Sequence, residues 1–236
     1  MNDLETIFTD AGGEFNEPPI AISHKLESIK AFLFDWDGVF NDGRKDHQAS
    51  SGFSEGNAMG INMLRFSVFL SHGFNPKVFV VTGELNPSAI GLVEREHFDG
   101  AFLSVKDKVE ILPVLKDKYA LQPEDCAFVF DDILDLSLAE KVGVRFFIRN
   151  KANPLLIDYI LEKQGCEYIS GHNGGDNGLR ECCELIIGLN GNFQETIDNR
   201  VKYSGKYRDY LEMRNIIQPC FYKATEPGME EFKPVT

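Results

Sequence analysis

The sequence has 236 residues, of which 43% are hydrophobic, so it is long enough to bury one sizeable core. It carries 37 acidic and 24 basic residues, and the net charge of −13 argues against a nucleic-acid partner or an anionic membrane surface. The five cysteines show no Cys-x-x-Cys spacing, which favours reduced thiols in a cytoplasmic protein. The sequence shows neither a basic, apolar leader nor a long apolar run, so we expect no signal peptide and no membrane span.

The two ends of the chain differ in composition from its middle. The first part is polar and mixed, and we predict a partly ordered lead-in over 1–29 with one short helix near 23–29. The last part has fewer aliphatic residues and carries aromatic residues among charges, which favours a peripheral helical extension over 190–236. We therefore predict one main domain over 30–189.

Short apolar runs alternate with helical patterns through this domain. The runs predict buried strands at 30–35, 77–82, 101–103, 126–130, 144–148 and 168–169. The patterns between them predict helices at 58–72, 87–96, 106–119, 133–141, 154–163 and 179–189. Asn57 is a candidate helix cap, and Asn86-Pro87 is a good helix start because proline suits the first turn. The Gly-, Asn- and Ser-rich segment 39–53 favours a β-hairpin flap. Continuous apolar strands alternating with helices indicate an α/β fold, with a parallel sheet and helices on both faces.

Polar side chains stand at the carboxyl ends of three predicted strands. Asp35 and Asp37 follow the first strand with one residue between them, so their side chains face one small volume. Two such carboxylates repel each other unless a cation lies between them, and Mg²⁺ prefers oxygen ligands of this kind. The spacing alone is also typical of an acidic surface turn. Thr82 and Asp131 end two further strands, where parallel sheets bind their ligands, and this coincidence favours a functional site.

Four segments resemble the motifs of the haloacid-dehalogenase (HAD) superfamily. They are Asp35-Trp36-Asp37-Gly38-Val39, Thr82-Gly83, a downstream lysine, and Phe130-Asp131-Asp132-Ile133-Leu134-Asp135. Segments such as Gly174-Gly175-Asp176-Asn177-Gly178 resemble the capless branch, which contains 3-deoxy-manno-octulosonate 8-phosphate (KDO8P) phosphatase and nonulosonate 9-phosphate phosphatases. The resemblance covers about 30–189. It implies a Rossmann-like HAD fold without a large cap and a Mg²⁺-dependent phosphatase for a small metabolite such as a sugar or sugar-acid phosphate.

The resemblance also implies a role for each acid of the motifs. Asp35 would be the nucleophile that forms an aspartyl phosphate, and Asp37 would protonate the leaving group and then deprotonate water. Mg²⁺ would bind the Asp35 carboxylate, the Asp37 backbone carbonyl and Asp131. Asp132 and Asp135 would act on metal-bound water or on the lysine, unless they merely complement a helix N-terminus.

The remaining motif residues would contact the phosphoryl group. Thr82 would donate its hydroxyl, and Gly83 would leave room for the backbone, although Thr82 also suits a plain strand end. Lys108 aligns best with the lysine that stabilises the nucleophile and the phosphate, and Lys106 is the other candidate.

The sequence departs from the family pattern at four places. Gly56, Asn57 and Ala58 stand where the family usually has Arg-Asp-Gly, and Glu84 replaces an arginine. Phe130 replaces a glycine, and the loop 172–177 lacks the basic residues often found there. We therefore expect phosphatase chemistry on a substrate other than the parent sugar acid. The alternative is a catalytically weak protein that keeps the fold as a binding or interaction module.

The resemblance also implies an assembly. Capless members form homotetramers in which the hairpin after the nucleophile packs at the centre, here 39–53. The glycine-rich loop of one subunit, here 172–178, can cover a neighbour's site and help to exclude water.

Overall fold

The computed structural model describes residues 2–47, 50–226 and 228–234. Its strands are β1 (Glu14–Phe15), β2 (Ala31–Phe34), β3 (Lys77–Val81), β4 (Gly100–Leu103), β5 (Cys126–Phe130), β6 (Val144–Phe147), β7 (Tyr168–Ile169), β8 (Cys220–Thr225) and β9 (Gly228–Phe232). Its helices are α1 (Asn2–Asp10), α2 (Pro19–Leu26), α3 (Glu55–His72), α4 (Pro87–Arg95), α5 (Leu112–Tyr119), α6 (Leu136–Ala139), α7 (Pro154–Glu162), α8 (Gly178–Leu189), α9 (Phe193–Val201) and α10 (Gly205–Asn215).

The strands form one sheet in the order β1-β7-β6-β5-β2-β3-β4-β8-β9. The seven strands from β7 to β8 pair in parallel, and β1 and β9 add antiparallel edges. Side chains alternate between two buried cores, one on each face: Phe32 and Phe34 of β2 enter one core, and Leu33 enters the other. The predicted α/β fold with helices on both faces of the sheet is confirmed.

Helix ends follow the capping chemistry of the sequence, with one shift. Helix α4 begins at Pro87 as predicted, and Asn86 caps it, since its side chain accepts from the backbone N–H of Ser88. Helix α3 begins earlier than predicted, because the hydroxyl of Ser54 is the cap and accepts from the N–H of Asn57. The predicted cap at Asn57 is therefore wrong. Its buried amide instead donates to the carbonyl of Phe40 and accepts from the N–H of Arg180.

The segment predicted as a β-hairpin flap contains no strand in its described residues, 39–47 and 50–53. Side chains take the place of backbone pairing there. The amide of Asn41 donates to the carbonyl of Gly52 at 2.8 Å, and the indole of Trp36 donates to the hydroxyl of Ser51 at 2.9 Å. The described residues of the segment form an irregular loop, which we call the 39–53 loop.

Both ends of the chain are more regular than predicted. The lead-in holds two helices and a strand, α1, α2 and β1, and β1 pairs with β7. The C-terminal extension is helical only through α10, and then β8 lies parallel to β4 and widens the sheet. Domain limits at 30 and 189 stay a prediction. No helix in the described part of the chain is long and apolar enough to cross a lipid bilayer.

Candidate active site

Three carboxylates meet at the carboxyl edge of the sheet. Asp35 follows β2 and Asp131 follows β5, and these strands are neighbours in the parallel sheet. Asp135 lies one short 3₁₀ turn after Asp131. Each acid is buried and offers an oxygen within 4.8 Å of the other two. The topology therefore brings residues a hundred positions apart into one small, acidic volume.

These acids line a cavity of about 380 Å³. The charged groups of its wall are Asp35, Asp37, Lys45, Glu84, Lys106, Lys108, Asp131, Asp132 and Asp135. Thr82 and Gly83, which follow β3, also line it. The structure thus brings together every site residue predicted from the sequence.

Lys108 is the cation at the centre of the acids. Its side chain is only 4% exposed, and its Nζ lies 2.5 Å from Oδ1 of Asp35 and also donates to Oδ1 of Asp135. Burial disfavours the charged ammonium, but the two carboxylates outweigh it and raise the pKa of Lys108. Lys106 lies in the same wall but is exposed. The geometry therefore favours Lys108 over Lys106 as the lysine of the site.

Asp131 has the features of a cation ligand. Its Oδ1 is buried and has no hydrogen-bond partner in the described part of the chain. Burial, followed by the charges of Asp35 and Asp135, raises the pKa of Asp131 well above its usual value. A buried carboxylate with an unpaired oxygen, beside other carboxylates, fits a hard divalent cation.

Gly38 forms one wall around the Asp131 carboxylate. Its φ is +84°, and a Cβ at this position would collide with the carboxylate oxygen Oδ2 of Asp131. Glycine is required here both by the left-handed backbone and by the close approach.

Asp135 and Asp132 differ in burial and in partners. Asp135 is buried, and its Oδ2 accepts from the N–H of Asp132 at 3.1 Å while its Oδ1 holds Lys108. Burial and the charge of Asp35 raise the pKa of Asp135 to about 7, against the opposing charge of Lys108. Asp132 is exposed and caps the 3₁₀ turn by accepting from the N–H of Ile133.

Asp37 is held at both carboxylate oxygens by the 39–53 loop. Its Oδ1 accepts from the hydroxyl of Ser51 at 2.5 Å, and its Oδ2 lies 3.0 Å from Nζ of Lys45. Sequence reasoning missed both partners, because they lie in a segment without periodicity or motif.

Two of the four departures from the family pattern lie away from the cavity. The ring of Phe130 packs against Phe128 and Phe147, with ring centroids 5.3 Å apart in each pair, and belongs to the core. Asn57 is buried between Phe40 and α8. Neither side chain lines the cavity.

The other two departures lie at the rim. Glu84 is exposed and lines the cavity. The loop 172–177 packs beside it, because Gly174 lies directly on the carbonyl oxygens of Gly38 and Asn41. This loop, together with Gly38 and Asn41, lines an adjacent crevice of about 500 Å³, which Arg44 and Arg149 also line. The departures that can affect a ligand are therefore confined to the rim.

The comparisons with known proteins agree with this geometry. The sequence is 27% identical over 181 residues to the 3-deoxy-D-manno-octulosonate 8-phosphate phosphatase KdsC of Salmonella typhi, covering 72% of this chain and 86% of that protein. No family model matches the chain.

Two solved structures share the fold. One is the 3-deoxy-D-manno-octulosonate 8-phosphate phosphatase from Moraxella catarrhalis in complex with magnesium, phosphate and KDO, with a TM-score of 0.63, 23% identity and coverage of 76% of this chain and 97% of that one. The other is a Legionella pneumophila protein assigned to HAD hydrolase subfamily III A, with a TM-score of 0.62, 23% identity and coverage of 77% and 94%.

These findings confirm the predicted resemblance to the HAD superfamily and its KDO8P-phosphatase-like branch, and they support a phosphatase. At this identity the two solved structures show the fold alone, so the resemblance to the branch rests on the sequence relative. The magnesium in the Moraxella structure agrees with the predicted cofactor.

Proposed function

We propose that this HAD-fold protein is a Mg²⁺-dependent phosphatase that hydrolyses a small phosphorylated metabolite, a sugar or sugar-acid phosphate, through an aspartyl phosphate. One observation carries the proposal: buried Lys108 joins Asp35 and Asp135 beside the unpaired Oδ1 of Asp131. This arrangement combines a nucleophile, a fixed cation and a vacant oxygen ligand within one cavity.

In the first half-reaction a carboxylate oxygen of Asp35 attacks phosphorus. The new bond from oxygen to phosphorus forms as the bond from phosphorus to the leaving oxygen breaks. Lys108 keeps the Asp35 carboxylate oriented and offsets the charge of the phosphoryl group. Asp135 holds the lysine in place from its other side.

Asp37 moves the protons in both half-reactions. It gives a proton to the leaving oxygen, and its resulting carboxylate then takes a proton from the water that hydrolyses the aspartyl phosphate. Asp37 lines the cavity two residues after Asp35, which supports this role.

Mg²⁺ would be held by the Asp35 carboxylate, the Asp37 backbone carbonyl and Asp131. When bound, it supplies positive charge that offsets the carboxylates and the transferring phosphoryl group. The unpaired Oδ1 of Asp131 and the close wall of Gly38 support a cation at this place.

Thr82 and Gly83 would receive the phosphoryl oxygens. Thr82 is buried at the end of β3 and lines the cavity, so its hydroxyl is available to donate. A Cβ at Gly83 would meet only the carbonyl of Val105, at 3.7 Å. Sterically, a larger residue would fit at Gly83. It is the open space beside the backbone that supports phosphate binding there.

The charges of the rim support a substrate other than the parent sugar acid. Among the described residues no arginine lines the cavity, and Lys45 and Lys108 are ion-paired with acids of the site. Arg44 and Arg149 of the adjacent crevice are ion-paired with Asp42 and Glu14. Lys106 has no ion-pair partner among the described residues, and Glu84 adds a negative charge. A carboxylate on the substrate, in addition to its phosphate, would therefore meet few free cations.

We also propose a cytoplasmic homotetramer in which the 39–53 loop and the loop 172–178 contribute to the contacts. Support comes from the close packing of the two loops at Gly174 and Gly38 beside an open cavity. Light scattering of the purified protein tests the tetrameric state, and a monomer would contradict it.

The test is phosphate release from a panel of sugar and sugar-acid phosphates, with and without Mg²⁺, beside an Asp35→Asn control. Mg²⁺-dependent release that the control abolishes is expected. Efficient and selective hydrolysis of octulosonate 8-phosphate would contradict the altered substrate. No release from any panel member, by folded protein that binds Mg²⁺, would favour the binding-module alternative.

A further inference from the structure

The hydroxyl of Ser51 is the hub of a buried network beside the active site. Ser51 is only 3% exposed and lies on the 39–53 loop, outside the four motifs. Its Oγ lies 2.5 Å from Oδ1 of Asp37, 2.9 Å from Nε1 of Trp36 and 2.8 Å from Nδ2 of Asn86. Three polar groups thus converge on one hydroxyl.

The direction of these hydrogen bonds is fixed by chemistry. The indole of Trp36 has only an N–H to donate. The amide of Asn86 is oriented by its helix-capping role, because its Oδ1 accepts from the N–H of Ser88 and leaves the NH₂ to face Ser51. These two donors occupy the lone pairs of Ser51 Oγ. Its single proton is therefore left for Asp37.

The network also distinguishes the two oxygens of Asp37. Oδ1 accepts from Ser51, whose other two partners, Trp36 and Asn86, are not among the residues that line the cavity. Oδ1 therefore lies on the buried side of Asp37. Oδ2 lies 3.0 Å from Nζ of Lys45, which does line it. The oxygen that faces a ligand is consequently Oδ2.

We propose that Ser51 is a positioning residue that holds Asp37 so that Oδ2 carries the transferred proton. This role rests on the proposed phosphatase function. The proton leaves Oδ2 for the leaving oxygen as its bond to phosphorus breaks. It is replaced from the water whose oxygen then attacks the aspartyl phosphate, which frees Asp35 and inorganic phosphate. Ser51 keeps its own proton throughout.

Substrates with different leaving groups distinguish this positioning role from a purely structural one. A sugar alkoxide needs protonation when it departs, whereas p-nitrophenolate departs without it. The value of kcat/KM reports the steps up to this departure. We expect Ser51→Ala to lower kcat/KM about 100-fold for the sugar phosphate that the panel selects and less than about threefold for p-nitrophenyl phosphate.

The neighbouring Ser50→Ala is the matched control. Ser50 lies on the same loop and contacts Ser88 and the cap Asn86, but in the described part of the chain no hydrogen bond joins it to Asp37. This variant should leave kcat/KM unchanged for both substrates. In an Asp37→Asn background, Ser51→Ala should have no further effect on the sugar phosphate, because its action passes through Asp37.

Equal loss for both substrates, or no loss for the sugar phosphate, would overturn the role of Ser51. Should Ser51→Ala not fold, Ser51→Cys keeps the size of the side chain with a weaker donor, and a selective loss for the sugar phosphate is again expected. A wild-type protein inactive on both substrates would overturn the proposed function itself. These failures are therefore distinguishable.

Discussion

The Nζ of Lys108 lies 2.5 Å from Oδ1 of Asp35, although 73 residues separate them in the sequence. Both groups are buried, so the charge of each is stabilised chiefly by the other and by Asp135. Removing one member of such a set leaves an uncompensated buried charge, which costs more than the intact pair contributes. The relationship predicts that this lysine serves both stability and chemistry.

Lys108→Met keeps the stem of the side chain and removes its charge. We expect it to lower the free energy of unfolding by about 3–5 kcal/mol without Mg²⁺, since Asp35 and Asp135 lose their cation. Phosphate release should fall at least about 100-fold, because Asp35, the proposed nucleophile, is no longer oriented. Urea unfolding and the release assay measure the two effects. The exposed Lys106→Met, in the same cavity wall, should change stability by less than about 0.5 kcal/mol. Equal losses in the two variants would contradict the assignment of Lys108.

Asp131 is expected to be the acid on which the response to Mg²⁺ depends. Mg²⁺ should raise the unfolding temperature of the wild type but not of Asp131→Asn, because ligand binding stabilises only a folded state that has its site. Without metal, and at a pH at which Asp131 is ionised, Asp131→Asn should be more stable than the wild type, since it removes a buried charge beside Asp35 and Asp135.

The control for that prediction is Asp132→Asn, because Asp132 is the exposed neighbour. It should keep the Mg²⁺ response, and any cost comes from the weaker cap on the N–H of Ile133. Thermal unfolding with and without Mg²⁺ measures both variants. An unchanged Mg²⁺ response in Asp131→Asn would place the cation elsewhere.

Mg²⁺ binding is expected to depend on pH. In the metal-free protein, burial and the neighbouring carboxylates raise the pKa of Asp131 well above its usual value. The folded protein therefore keeps a proton on Asp131 to a higher pH than an exposed aspartate does, and Mg²⁺ must displace it, so Mg²⁺ affinity should rise as the pH rises above the usual aspartate range. Because the pKa of Asp131 is higher in the folded than in the unfolded state, the contribution of Asp131 to the stability of the metal-free protein falls as the pH rises through its folded pKa. Calorimetry in two buffers of different ionisation enthalpy measures the released proton. Affinity independent of pH, without proton release, would contradict the raised pKa.

The sequence predicted the centre of the fold because the information there is local. Buried parallel strands such as β2 and β5 are continuous apolar runs, and their carboxyl ends meet at one edge. That rule alone placed Asp35 beside Asp131. The family resemblance supplied Lys108, whose partners no local pattern indicates.

The parts that were missed depend on distant partners. Strand β8 is only partly buried and has a mixed sequence, and it becomes a strand because β4 offers a free edge. The composition of the 39–53 loop predicted a hairpin, but side chains such as that of Asn41 form hydrogen bonds with its backbone in place of strand pairing. Ser51 could not be found for the same reason, since its role comes from contacts with Asp37 and Asn86 in the folded chain.

Gly38 and Gly43 offer a matched test of how tightly the Asp131 carboxylate is enclosed. Both have positive φ, +84° and +75°, so alanine at either position carries the cost of a left-handed backbone, about 1–2 kcal/mol. A Cβ at Gly43 meets nothing closer than the backbone nitrogen of Gly38 at 3.9 Å, whereas one at Gly38 collides with the carboxylate of Asp131. We expect Gly38→Ala to cost about 1–3 kcal/mol more than Gly43→Ala in urea unfolding and to lose most of the Mg²⁺-induced stabilisation. Gly43→Ala should keep that stabilisation. Equal costs with equal Mg²⁺ responses would show that the backbone after β2 can move away from Asp131, and that Gly38 does not enclose the cation site.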